Sequence, residues 1–324
     1  MTIAESSLVF NVVWTGNVFD HLRIFAASQL DHSAARLRFL VNACPDDQLA
    51  AMERFAERYP DRVVEMIDVT AADGSMARHG DCLDRVLACR DDGEHFCLID
   101  PDIFARGPFL PRLLGHVDRG AGAVTSGRGV WSQTVVIPAG HPGVNGEYFY
   151  TQDGFLFGAP HFAVYRRGPL DETRERWGVG FGTGSARHLP DEAQRRLAAA
   201  GLDYWLYDTG KLVNAFLQLT GYELVHEEEP MMQHIGGVAH YLAPTRRIVD
   251  DAGNDGEPDW SEWRGMTDRF ESARFSAGVL RALVAGDPVP SVPSSLDADL
   301  TDRLVELRDD LVRLVDLYAE VIER

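Results

Sequence analysis

The hydrophobic pattern of the first 125 residues switches repeatedly between two forms. Near-continuous apolar runs fall at residues 8–14, 37–41, 63–69, 96–99 and 121–125. Runs of that length, with little polar alternation, predict strands buried on both faces. Between them the apolar positions recur at helical spacing. Leu22, Phe25, Ala26 and Leu30 share one face over residues 20–30, and Leu49, Met52, Phe55 and Ala56 share one over 47–59. Shorter helices are predicted over 81–89, where Leu83, Val86 and Leu87 recur, and over 110–117. Strands alternating with helices predict right-handed βαβ units. The fold class is therefore α/β, a Rossmann-like, mostly parallel sheet flanked by helices, and such sheets bind ligands at the carboxyl ends of their strands.

The pattern weakens over residues 126–200, rich first in Gly, Pro and aromatics (HPGVNGEYFYTQDGFLFGAP) and then in charge. This predicts long loops over the sheet edge with one strand, at 162–165. Helical spacing returns over 207–221, with Leu212, Phe216 and Leu219 on one face and Gly221 placed to cap the end. Residues 249–259 form an acidic loop and 286–295 a linker rich in Pro and Ser. Then Leu300, Leu304, Leu307, Leu311, Leu314, Tyr318 and Val321 step by four and three. Such a heptad seam either packs on its own domain or makes a homodimer through residues 297–324. The expected organisation is an α/β domain over 1–245, a loop and linker region over 246–296, and a C-terminal helical extension over 297–324.

Composition narrows the functions. The 324 residues carry a formal net charge of −19, which removes any general attraction to nucleic acid or anionic membrane. An anionic substrate would need a local cation. No apolar run is long enough to span a bilayer and the first residues lack a signal-peptide pattern, so a cytoplasmic location is expected. The four cysteines (Cys44, Cys82, Cys89, Cys97) form no CxxC pair and read as small buried apolar residues of a reducing compartment.

Against this background the end of the fourth strand stands out. The run Phe96-Cys97-Leu98-Ile99 stops at Asp100-Pro101-Asp102. Side chains two apart in an extended segment lie on one side, roughly 7 Å apart, and Pro101 favours extended geometry at Asp100. Two carboxylates so placed suit one hard divalent cation, Mg²⁺ or Mn²⁺, which commonly completes its coordination with substrate phosphates. No GxGxxG, P-loop or GxSxG elbow is present; Thr183-Gly184-Ser185-Ala186-Arg187 comes nearest to the last.

Asp-x-Asp at the end of the fourth strand of an N-terminal α/β domain resembles the nucleotide-sugar-dependent glycosyltransferases of the GT-A fold, in particular the large family 2 group. Tyr207-Asp208-Thr209-Gly210 at a helix start, Gln233-His234-Ile235-Gly236-Gly237, and the strand Phe162-Ala163-Val164-Tyr165-Arg166-Arg167 extend the resemblance over residues 8–245. Where family 2 commonly has Glu-Asp, this chain has Tyr207-Asp208, and the segment from Arg167 to Asp208 is long. The resemblance implies a nucleotide-binding half over 1–125 and an acceptor half over 126–245. It implies Mn²⁺ or Mg²⁺ on Asp100, Asp102 and His234, with His240 a weaker candidate. The donor is then a UDP- or GDP-linked sugar touching Thr15, Asn17, Asp68, Arg78, Arg85 and Asp100. Asp208 becomes the base that deprotonates an acceptor hydroxyl, with inversion, and is expected to be desolvated rather than tied to backbone amides. Arg246 and Arg247 would neutralise the leaving diphosphate or be plain surface charges. Tyr148, Phe149, Tyr150, Tyr204 and Trp205 would stack on a sugar or belong to the core. A retaining transferase would use the same metal site without Asp208 as base. A sugar-phosphate nucleotidyltransferase would need a Gly-rich basic loop after the first strand, where this chain has Trp14-Thr15-Gly16-Asn17-Val18. A non-catalytic sugar-nucleotide-binding protein would be expected to lack a ligand, yet both aspartates are present. The expected partners are thus a sugar nucleotide and an acceptor, with no nucleic acid.

Overall fold

The computed structural model describes residues 2–242 and 266–322. The chain runs β1 (Val9–Thr15), α1 (Phe19–Asp31), β2 (Arg36–Asn42), α2 (Asp46–Arg58), β3 (Val63–Asp68), α3 (His79–Cys89), β4 (His95–Ile99), β5 (Ile103–Ala105), α4 (Leu110–Asp118) and β6 (Ala123–Ser126). It continues through β7 (Gly143–Val144), β8 (Phe162–Arg166), α5 (Arg167–Trp177), α6 (Asp191–Ala199), β9 (Leu206–Tyr207), α7 (Lys211–Thr220), β10 (Leu224–His226) and β11 (Met232–His234). Four helices follow: α8 (Ala239–Leu242), α9 (Met266–Ala285), α10 (Ala298–Leu317) and α11 (Ala319–Ile322).

Seven strands form one sheet in the order β10-β6-β8-β4-β1-β2-β3. β1 pairs in parallel with β2 and β4, β2 with β3, and β6 with β10, while β8 runs antiparallel between β4 and β6. This is the mostly parallel, Rossmann-like sheet flanked by helices that the alternation predicted. Two small pairs lie outside it: β5 against β11, antiparallel, and β7 beside β9, parallel.

The strands divide the apolar core in two, because successive side chains point to opposite faces. Phe10, Val12, Trp14, Cys97 and Ile99 belong to one cluster, and Val13, Phe96 and Leu98 to the other. The first cluster includes the whole predicted heptad seam, from Leu300 to Val321, every member buried. The seam therefore packs on the chain's own domain, and the apolar face invoked for a homodimer through residues 297–324 is already covered. Arg23 Nη2 on α1 donates to Ile322 O at 2.7 Å, tying the last turn to the sheet's helices.

Several expectations differ in detail. The stretch 207–221 is not all helix: Leu206–Tyr207 pairs with Gly143–Val144, Gly210 (φ +73°) turns the chain, and α7 begins at Lys211. Gly221 (φ +108°) does close that helix. The region read as loops contains α5 and α6, whose charge-rich sequences keep only a narrow buried face: Pro169, Leu170, Thr173 and Trp177 on α5, Ala193 and Leu197 on α6. The predicted linker is partly packed, with Val289 and Val292 against the core. Cys89 is exposed rather than buried. Arg246, Arg247 and the acidic loop 249–259 lie outside the described residues. Among the described residues no helix is long and apolar enough to cross a membrane.

Candidate functional site

The register of two strand pairs assembles the site. Antiparallel β8 sets Phe162 opposite Ile99, so His161 meets Asp100, and Asp100 N donates to His161 O at 2.7 Å. β11 sets His234 opposite Ile103, beside Asp102, and Ile235 N donates to Asp102 O at 3.1 Å. One ligand atom from each of Asp100, His161 and His234 lies within 4.8 Å of the others. The two imidazoles lie with ring centroids 4.1 Å apart.

Asp102 does not join that group. It sits behind His234, with Oδ1 3.2 Å from His234 Nε2. Of the three residues expected to hold a metal, Asp100 and His234 lie in this group together with His161, whereas Asp102 lies against His234. A carboxylate only accepts, so Nε2 carries the shared proton and Nδ1 is left as the free electron pair of His234. His161 Nε2 donates to Gly146 O at 3.2 Å, which leaves its Nδ1 pair facing Asp100 Oδ2 at 3.3 Å. His79 Nε2 lies 3.7 Å from Asp100 Oδ1.

The electrostatics of the cluster suit a cation. Burial pushes the Asp100 carboxyl up to about 7, with the Asp102 charge adding to it and His79 opposing. Burial also raises Asp102, but the charge and hydrogen bond of His234 outweigh it and hold this carboxyl low. Burial lowers His234, and Asp102 outweighs that in turn. His161 is driven well below its ordinary value by burial and by His234. Two acceptor pairs facing each other need a proton or a cation between them. Asp100 Oδ1 and His234 Nδ1 are buried and have no hydrogen-bond partner among the described residues, an uncommon condition for native polar atoms. One carboxylate and two imidazoles fit a borderline divalent transition ion such as Mn²⁺, Fe²⁺ or Zn²⁺ better than Mg²⁺, which prefers oxygen ligands.

The same pocket is lined by Thr15, His79, Trp131, Gly146, Glu147, Asp208 and Arg269. Asp208 is held at its rim because β9 lies beside β7: its N donates to Val144 O at 2.8 Å. Its carboxylate accepts from Gly146 N at 2.9 Å and from Thr209 N at 2.8 Å, and the residue is exposed. The expectation that Asp208 would be desolvated and free of backbone amides is therefore overturned; the turn that presents it also ties it down. Glu147, next in the loop, is the desolvated carboxylate, 7 % exposed and raised by burial.

Of the other expected donor contacts, Thr15 lines the pocket, while Asn17, Asp68, Arg78 and Arg85 are not among its lining residues. Asp68 accepts from Thr70 N at 2.9 Å, Arg85 Nη1 donates to Thr70 O at 3.1 Å, and Arg78 grips Asp81 through two bonds of 2.8 and 2.9 Å. Tyr148 and Phe149 are core, whereas Trp205 is 48 % exposed. His240 lines the pocket.

The sequence pattern did not single out His161, His79, Glu147, Trp131, Lys211 or Arg269. His161 had one signal, its position just ahead of the strand Phe162–Arg166. Lys211 is buried and donates to Tyr148 O at 2.9 Å and Gly158 O at 2.5 Å, with Nζ 4.8 Å from the Phe149 ring centre. It braces the loop carrying Gly146 and His161 against α7.

No protein-family model and no curated protein matches the chain. Among solved structures it is similar to a mannosyltransferase from Pyrobaculum calidifontis in complex with GDP-mannose and Mn²⁺, at TM-score 0.44 and 14 % identity over 96 % of this chain and 87 % of that one. It is also similar to a 4-diphosphocytidyl-2C-methyl-D-erythritol synthase from Anaerococcus prevotii, at TM-score 0.38 and 8 % identity over 82 % of this chain and 96 % of that one. No residue role follows from likenesses at that level.

Proposed function

We propose that this chain is a divalent-metal-dependent glycosyltransferase that takes a sugar from a nucleoside-diphosphate sugar. The observation that carries the reading is the cluster of Asp100, His161 and His234 at the carboxyl end of β4, with two buried acceptor atoms left unpartnered among the described residues. Those three residues would hold Mn²⁺ or a similar transition ion, and Asp102 would fix the ring of His234. A divalent ion bound there supplies charge neutralisation for a departing diphosphate. Thr15, at the end of β1, lines the same pocket and would contact the donor. In this reading Asp208 at the rim receives the acceptor's proton, with inversion, although its two backbone-amide bonds cost it basicity. The loop of residues 145–161 shields one side of the pocket, and Lys211 holds it in place.

Calorimetry of UDP and GDP, with and without Mn²⁺, tests this on the wild type and on Asp100→Ala and His161→Ala. Binding that requires both the ion and these side chains supports the reading and names the nucleotide. Absence of binding to either nucleotide with Mn²⁺ present defeats it. Anomer analysis of the product then separates inversion from retention.

A further inference from the structure

The pocket has a second half that the metal cluster does not use. Its donors stand with one buried carboxylate, Glu147, whose charge Arg269 partly offsets. Arg269, in the first turn of α9, lines it with the guanidinium carbon 5.2 Å from the Trp131 ring centre. In a chain of net charge −19 most buried or half-buried arginines meet a carboxylate, as Arg38 meets Asp92 and Arg174 meets Asp84. Arg269 is half-buried, yet among the described residues it has no carboxylate within ion-pair distance. Trp131 is 8 % exposed and its Nε1 is a buried donor with no acceptor among the described residues. Both features cost free energy unless a ligand answers them.

The backbone between them is shaped for close approach. Gly236 (φ +80°) and Gly237 (φ +74°) are consecutive left-handed residues, two and three positions after the ligand His234. A Cβ on Gly236 would stand 2.8 Å from Trp131 Nε1, and one on Gly237 would stand 3.8 Å from Arg269 Nε and 3.9 Å from the Cβ of Ala273 on α9. Neither glycine amide donates to a described residue. Gly236 makes room for the indole, and the Arg269 guanidinium stands beside the cation cluster, where a cation suits a phosphate anion bridged to a metal.

We propose that Arg269, held over the Trp131 ring beside the Gly236–Gly237 turn, binds the phosphates of the donor, so that the C-terminal helix α9 is part of the substrate site. This rests on the reading of the cluster as a metal site. It is tested with inorganic pyrophosphate and Mn²⁺ by calorimetry, and with Mn²⁺ alone by electron paramagnetic resonance. The variants are Arg269→Gln and Arg269→Lys, with thermal melting as the folding control. Arg269→Gln should weaken pyrophosphate by about tenfold or more while leaving Mn²⁺ affinity within about twofold, and Arg269→Lys should restore part of the loss. Wild-type pyrophosphate affinity in Arg269→Gln overturns the inference. A wild type that holds Mn²⁺ but no pyrophosphate also overturns it and leaves the metal reading standing. A wild type that holds neither removes both.

Discussion

Asp100 and Asp102 are the same residue type two positions apart, and the fold gives them different work. Asp100 faces His161 and His234, whereas Asp102 is spent on one ring nitrogen of His234. Asp100→Ala should therefore abolish Mn²⁺ binding, while Asp102→Asn should weaken it by about 10- to 100-fold, the usual effect of losing a ligand's orienting partner. Titration of Mn²⁺ by paramagnetic resonance checks both. Burial holds the Asp100 carboxyl near 7 when no ion is bound, so the ion competes with a proton. Mn²⁺ affinity is expected to fall as pH drops below about 7. Lys211 gives a separate pH signature. Burial lowers its ammonium to about 7, against about 10.4 in an unfolded chain. Between those values the unfolded chain binds more protons, so this residue's penalty is full below pH 7 and shrinks as pH rises. Across that window the urea midpoint of the wild type should therefore climb relative to that of Lys211→Met, which has no ammonium to bury.

At the level of elements, alternating apolar runs and helical faces were enough to read β1 through β4, β6 and the helices between them. Most of these strands are buried on both sides and carry few competing signals. α5 and α6 were not legible, because a helix that buries four residues among eleven, most of the others charged, leaves little periodicity. The direction of β8 was not legible either: an apolar run looks alike whichever way it pairs, and only its antiparallel placement puts His161 against Asp100. The seam of α10 was legible as a seam but not in its partner, since a heptad pattern records only that one face is apolar. With Leu304 wholly buried in the main core, Leu304→Ala should cost about 2–5 kcal/mol in denaturant unfolding. Leu304→Asp should unfold the chain instead of releasing a monomer.

For the whole molecule, the acidic charge and the chemistry meet in one pocket. A chain at −19 repels a diphosphate at long range, so on the proposed reading donor binding draws on a bound ion and on Arg269. Moderate salt screens distant charges more than partly buried contacts. Nucleotide association is therefore expected to quicken as salt is raised from low concentration, and binding to vanish on chelation at every salt concentration. Stopped-flow association across a salt series, with and without EDTA, checks both.

Local patterns along the chain were sufficient for the α/β alternation, the strand ending in two carboxylates, the histidine before two glycines, and the glycine that closes α7. Every relation between distant residues came instead from how the elements pack. His161 joins Asp100 through an antiparallel pairing, Asp102 retires behind His234 through β11, and Arg269 reaches the pocket because α9 packs on Gly237. Periodicity reports which face of an element is buried. It carries no information on what lies across that face, and there the ligands and charges of this site are chosen.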